Sequence, residues 1–140
     1  MKRHDKLIPL SRFHRSCLFL ALMAKENAPN IKNYPNEIPE KIDYAISFYH
    51  GPLRTHFEKE ALLWAQVKDK SDELSIIVND LSKERHELND LFELLESERY
   101  TKTLHELGKL LEKHVRKEER VLFEQMQSDL TEEELLDLTY

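Results

Sequence analysis

Two segments of this chain place a glutamate four residues after a histidine: His56-Phe57-Glu58-Lys59-Glu60 and His114-Val115-Arg116-Lys117-Glu118. On a helix, positions separated by steps of three and four share one face. The stripe through the first pair reads Ile46, Tyr49, Leu53, His56, Glu60, Leu63, Val67, and that through the second reads Leu104, Leu107, Leu111, His114, Glu118, Val121. A third stripe, Leu10, His14, Cys17, Ala21, Ala24, carries His14. Each histidine therefore lies inside an apolar row, and so do both glutamates. An ionised carboxylate is costly to bury unless it is paired or bound to a metal. Neutral imidazoles and carboxylates are first-row transition-metal ligands, and inward His and Glu side chains are how helical bundles build such centres. The chemistry expected is cation binding. One histidine in an apolar row is more simply a hydrogen-bonded core residue. A metal-free network joining Glu60 and Glu118 to buried His⁺ or Arg is the competing account. Recurrence of the pair on two helices, with a third inward histidine, favours metal, because buried ion networks are costly to build.

The helix between the two pairs is less clear. Its apolar row is Leu74, Ile77, Val78, Leu81, Leu88, Phe92, Leu95. At about 100° per residue, His86 falls about 140° from the centre of that row and faces solvent or a flank. Glu84 lies nearer the row and is the alternative inward ligand. A local bulge would re-aim His86, and Asp90 would come with it. His105, opposite its row, His50 beside Gly51-Pro52 and His4 near the terminus are read as non-ligands. Cys17 is read as a small core residue, with a soft-ligand role as the alternative.

The elements that position these groups follow from breakers and caps. A first helix is expected from about Ser11 to Ala28, then a loop marked by Pro29, Asn30, Asn33, Pro35 and Asn36. A second runs from Pro39 to about Lys68, with Pro52 expected to kink or split it. Lys68 to Ser71 is a short connection, and Ser71 is a fair N-cap for a third helix reaching about Ser97. A fourth runs from about Thr101 to Gln127. Thr131 and Glu134 have capping-box spacing for a short last helix, Thr131 to Leu138. Four long helices with short connections lie antiparallel to their neighbours. The expected fold is all-α: an up-down antiparallel four-helix bundle with a short extra C-terminal helix, a single domain over residues 1–140.

Bulk properties exclude several alternatives. With only two glycines, the composition favours helix over a β-rich fold. A net charge of −6 and a pI near 5.7 speak against nucleic acid as a partner. No run of about 18 apolar residues exists to span a membrane, and the N-terminal stretch is too polar for a signal peptide. The lone Cys17 has no intrachain disulfide partner, which suggests a reducing, cytoplasmic setting.

Together these segments resemble the hemerythrin-like, or HHE cation-binding, domain in its small stand-alone form. The run Leu-Ile-Pro-Leu-Ser-Arg-Phe-His14 is similar to the family's opening. His56 to Glu60 resembles its helix-two motif, Arg85-His86 stands where it has a helix-three histidine, and His114 to Phe123 follows its fourth-helix motif. The resemblance implies His14, His56, His86 and His114 as terminal ligands, with Glu60 and Glu118 bridging two metals, iron first, though Mn or Zn suits the same donors. Glu119, at the five-residue spacing used by oxygen-carrying hemerythrins, is the alternative bridge. Those carriers have a second helix-three histidine; here the corresponding places hold Ser82 and Asp90, and Arg15 stands where bacterial relatives often have another histidine. Simple oxygen carriage is therefore not the implied role. The implied roles are O2, NO or redox sensing and iron sensing or handling. The alternatives are a di-iron enzyme acting on peroxide, oxygen or nitric oxide, with Tyr44, Tyr49 and His50 as candidate proton donors, and a helical interaction protein with a vestigial metal site.

Overall fold

The computed structural model describes residues 2–140, and among these every regular element is helical. The elements are α1 (Ile8–Ala24), α2 (Ile38–Phe48), α3 (Arg54–Val67), α4 (Asp72–Glu98), α5 (Thr101–Lys117), α6 (Phe123–Asp129) and α7 (Glu132–Leu136). Tyr49–Leu53 and Glu118–Leu122 are π-helical turns that join α2 to α3 and α5 to α6 without a break. The chain thus forms four long rods and one short terminal helix.

Local chemistry explains most ends. Pro9 lies in the first turn of α1, where its missing N–H is not needed, so the helix begins at Ile8, ahead of the expected Ser11. It stops at Ala24, short of Ala28, because Lys25 is extended. Asn27 and Asn33 then turn the connection at φ 59° and 72°, a left-handed conformation that Asn tolerates. Ser71 caps α4, its Oγ accepting from the Leu74 N–H at 3.1 Å. Thr131 and Glu134 close a reciprocal capping box at the start of α7.

Pro52 neither splits its rod nor ends it. A proline in an α-helix lacks a donor and collides with the preceding turn; here it sits inside the wider π turn, between helical Tyr49 and Arg54. Each π turn adds one residue to the rod, and the buried row changes phase across it. Ahead of the first turn the buried apolar residues are Ile42, Ala45 and Phe48, while Ile46 and Tyr49, expected inward, are half-buried. Beyond the second turn the buried residues are Phe123, Met126 and Leu130. Val121, also expected inward, is 44 % exposed. A strict helical period cannot represent the extra residue.

Two apolar clusters fill the interior. One gathers Cys17, Leu20, Phe92, Leu104 and Leu107; the other gathers Leu7, Leu63, Leu74, Leu81 and Phe123. Full burial of each Leu or Phe contributes roughly 1.5–3 kcal/mol. On every rod the changeover between clusters is polar: His14 lies between Leu10 and Cys17, His56 and Glu60 between Leu53 and Leu63, Glu84 and Arg85 between Leu81 and Leu88, and His114 and Glu118 between Leu111 and Leu122. The rods are drawn close enough for this layer to form. α1 packs against α5 and α2, and α4 against α5, α2 and α3. Gly108 permits the α1–α5 approach, since a Cβ there would lie 2.8 Å from the Ala21 carbonyl oxygen.

Candidate metal centre

Five of the expected ligands converge in the polar layer. α1 supplies His14, α3 supplies His56 and Glu60, α5 supplies His114, and Glu118 is the first residue of the second π turn. All five are buried, Glu60 and His114 completely. They form two donor groups that share one residue: His14, His56 and Glu60, and Glu60, His114 and Glu118. Within each group the donor atoms lie within 4.8 Å of one another.

The outer hydrogen bonds orient the rings. His14 Nδ1 lies 2.6 Å from Glu119 Oε2, and His114 Nδ1 lies 3.1 Å from Glu84 Oε1. A carboxylate accepts, so each ring keeps its proton on Nδ1 and turns Nε2 inward, as carboxylate-held metal ligands do. Glu119 is itself held by the Ser11 hydroxyl, which donates at 2.8 Å, and by Arg3. Lys117 Nζ donates to Glu84 Oε2 at 2.7 Å. Burial works against the charge of both outer carboxylates. The hydrogen bonds outweigh it, holding Glu119 below the usual carboxylate range and Glu84 down to about 2.

Several of the inward atoms lack donors. His114 Nε2 faces Glu118 Oε1 at 3.1 Å, His56 Nε2 faces Glu60 Oε1 at 3.2 Å, and His14 Nε2 lies 3.1 Å from Glu60 Oε2 and 3.7 Å from Glu118 Oε2. His56 Nε2, His114 Nε2 and both Glu118 oxygens are buried without any hydrogen-bond partner. Leaving such a group unsatisfied costs about 1–3 kcal/mol. Burial lowers the pKa of His56 and of His114 despite their carboxylate neighbours, so both offer lone pairs. Burial and the adjacent Glu60 charge raise Glu118 well above its usual range. His14 differs. Burial opposes its charge, but Glu118, Glu119 and Glu60 push its pKa up to about 10. Acceptors aimed at one another in a dry interior call for a cation, and these donors fit a first-row transition metal.

The family description Hemerythrin HHE cation binding domain matches residues 10–126. The chain belongs to the hemerythrin HHE cation-binding domain family. Neither a curated protein nor a solved structure matches it significantly. The matched span holds all five convergent side chains and both π turns, and it leaves α7 outside.

The family resemblance also pointed to His86, and here the structure departs from it. His86 is exposed and joins neither donor group, as does Asp90, because α4 turns Glu84 and Arg85 inward instead. Periodicity had placed His86 on that outer face. Glu84 reaches the site through the His114 ring, and Glu119 does the same from the far side of His14, leaving Glu118 as the inward carboxylate of its pair. Cys17 is buried one turn from His14 yet belongs to neither group. Burial, with the Glu60 and Glu118 charges, raises its thiol pKa, as expected of an inert core residue. His50 pairs with Glu96, His105 accepts from the Glu26 N–H, and His4 pairs with Glu132, well tied down for a terminal residue.

Arg85 is the residue on α4 that meets Glu60; the competing metal-free account allowed for it only as an unspecified buried Arg. Its Nη2 donates to Glu60 Oε1 at 2.8 Å and its Nη1 to the Phe57 carbonyl at 3.3 Å. The guanidinium lies over the Phe57 and Trp64 rings, 3.7 and 4.3 Å from their centroids. Its other side lines an open cleft of about 540 Å³, shared with Tyr49, His50 and Phe57. Tyr44 lies away from that cleft, against Tyr34.

Proposed function

We propose that this chain is a non-haem iron-binding protein, built as an antiparallel up-down four-helix bundle, that senses or handles iron, O2, NO or redox state in the cytoplasm. The metal part of this reading rests on one observation: His114 Nε2 and Glu118 Oε1 face each other at 3.1 Å, buried and without a hydrogen-bond partner, and buried His56 Nε2 has none either. The ring of contacts from α1 to α5, α4 and α2 supports the bundle. The free, buried Cys17 supports a reducing compartment. No helix among the described residues is long and apolar enough to cross a membrane.

When bound, iron supplies a one-electron redox couple and an exchangeable coordination position. The protein's residues do the rest. Glu119 and Glu84 fix the tautomers of His14 and His114. Phe13, stacked on His56 at 4.3 Å between ring centroids, and Phe123, stacked on His14 at 5.8 Å, shut out bulk water. The cleft beside Phe57 meets the layer only at Arg85, whereas a second cleft, between Phe13 and Pro52, opens onto His56 itself. Anaerobic metal analysis tests the proposal. Wild-type protein is expected to retain iron through gel filtration, and His56→Ala to lose most of it while keeping its helical circular dichroism. Wild-type protein that rejects Fe(II), or equal metal content in both forms, counts against the reading.

A further inference from the structure

We infer that Arg85 acts as a tethered cation in place of a ligand from α4, so that this centre binds one metal ion per chain rather than the pair the fold implies. The inference rests on the metal-binding reading above and narrows it.

The donor count is the first ground. Three imidazoles and two carboxylates reach the layer, and α4 adds no ligand atom to either group. Its two inward residues are already engaged: Glu84 holds His114 Nδ1 and Lys117, and Arg85 holds Glu60. Two ions would have to share Glu60, the one residue common to both groups. One of its oxygens already accepts from the Arg85 guanidinium at 2.8 Å.

Charge is the second ground. Glu60 and Glu118 bring two negative charges when ionised, and Arg85 returns one positive charge in the same dry layer, while Glu84 and Glu119 are already balanced by Lys117 and Arg3. One divalent cation overcompensates the remainder by a single charge; a second would leave three positive charges uncompensated by ligands, where screening is weakest. The guanidinium cannot move aside cheaply. It is wedged between Phe57 and Trp64, bonded to a backbone carbonyl, and 9 % exposed. It also cannot give up its proton at any ordinary pH.

Anaerobic equilibrium dialysis against Fe(II), with metal counted per folded chain, tests this. Wild-type protein is expected to take up one equivalent. Arg85→His removes the charge and adds an imidazole on α4, and is expected to take up two. Arg85→Gln keeps a donor for Glu60 but removes the charge; it serves if the first variant does not fold, and is expected to exceed one equivalent. His86→Ala is expected to match wild type. Two equivalents on wild-type protein, no increase in either Arg85 variant, or weakened binding in His86→Ala overturns the inference and leaves metal binding standing. No uptake by any form overturns metal binding itself, and the inference with it.

Discussion

At the residue scale, the centre is defined by which atoms are denied a partner. Glu118 shows it best, with both carboxylate oxygens buried and neither in a hydrogen bond. Such a group weakens the metal-free protein. Glu118→Gln should separate that cost from metal binding. An amide of the same shape donates protons toward Glu60 and His114 Nε2, relieving about 1–2 kcal/mol of unsatisfied burial. The metal-free variant is therefore expected to melt several degrees above metal-free wild type, while its Fe(II) uptake falls sharply. A variant that melts lower without metal would show that Glu118 is already well accommodated. Differential scanning calorimetry of both chelated proteins decides it.

At the element scale, the two π turns carry the placement. One starts seven residues before His56 and ends three before it; the other begins at Glu118 itself. A π turn inserts a residue without ending the helix, and such insertions cluster at functional sites. The second one lets consecutive glutamates do different work: Glu118 points inward, and Glu119 reaches around to His14 Nδ1. Val121 is the exposed residue of that turn. Deleting Val121 should tighten the turn into ordinary α-helix while Phe123 and Met126 stay inward. Helical circular dichroism is expected to be retained. Metal affinity, measured by competition with a chelator, is expected to fall about 10- to 100-fold as the outer hydrogen bond to His14 is lost. Unchanged affinity would mean that the bulge is not needed to aim these side chains.

At the scale of the whole molecule, the polar layer interrupts a core that would otherwise be continuous. The two apolar clusters carry the stability, and the layer between them spends some of it. A cation joining α1, α3 and α5 would link rods from both clusters and so couple binding to folding. At a free metal concentration a hundredfold above its dissociation constant, stabilisation is about 2.7 kcal/mol, or about 10 °C for a chain of this size. A chelator is expected to lower the melting temperature by that amount and Fe(II) to restore it. A melting temperature indifferent to both would leave the centre uncoupled from the fold.

Much of this was legible from residue spacing. The four rods, the Ser71 and Thr131 caps, and the inward placement of His14, His56, Glu60, His114 and Glu118 follow from a period of 3.6 residues and the chemistry of helix ends, which are local properties. The seven-residue gap between Leu81 and Leu88 in the third rod was also a local signal, since Glu84 and Arg85 fill it, but charged residues made it look like a break in the row. What periodicity could not carry is phase across an inserted residue, which is why Ile46, Tyr49 and Val121 were expected inward. Nor could it say that Arg85 turns inward beside Glu84, so that a guanidinium rather than an α4 imidazole meets Glu60. Those outcomes depend on distances between rods: on how closely Gly108 lets α1 approach α5, and on whether Phe57 and Trp64 leave a slot for Arg85. Spacing along one helix determines which side chains share a face; only the packing of several helices decides which atoms meet there.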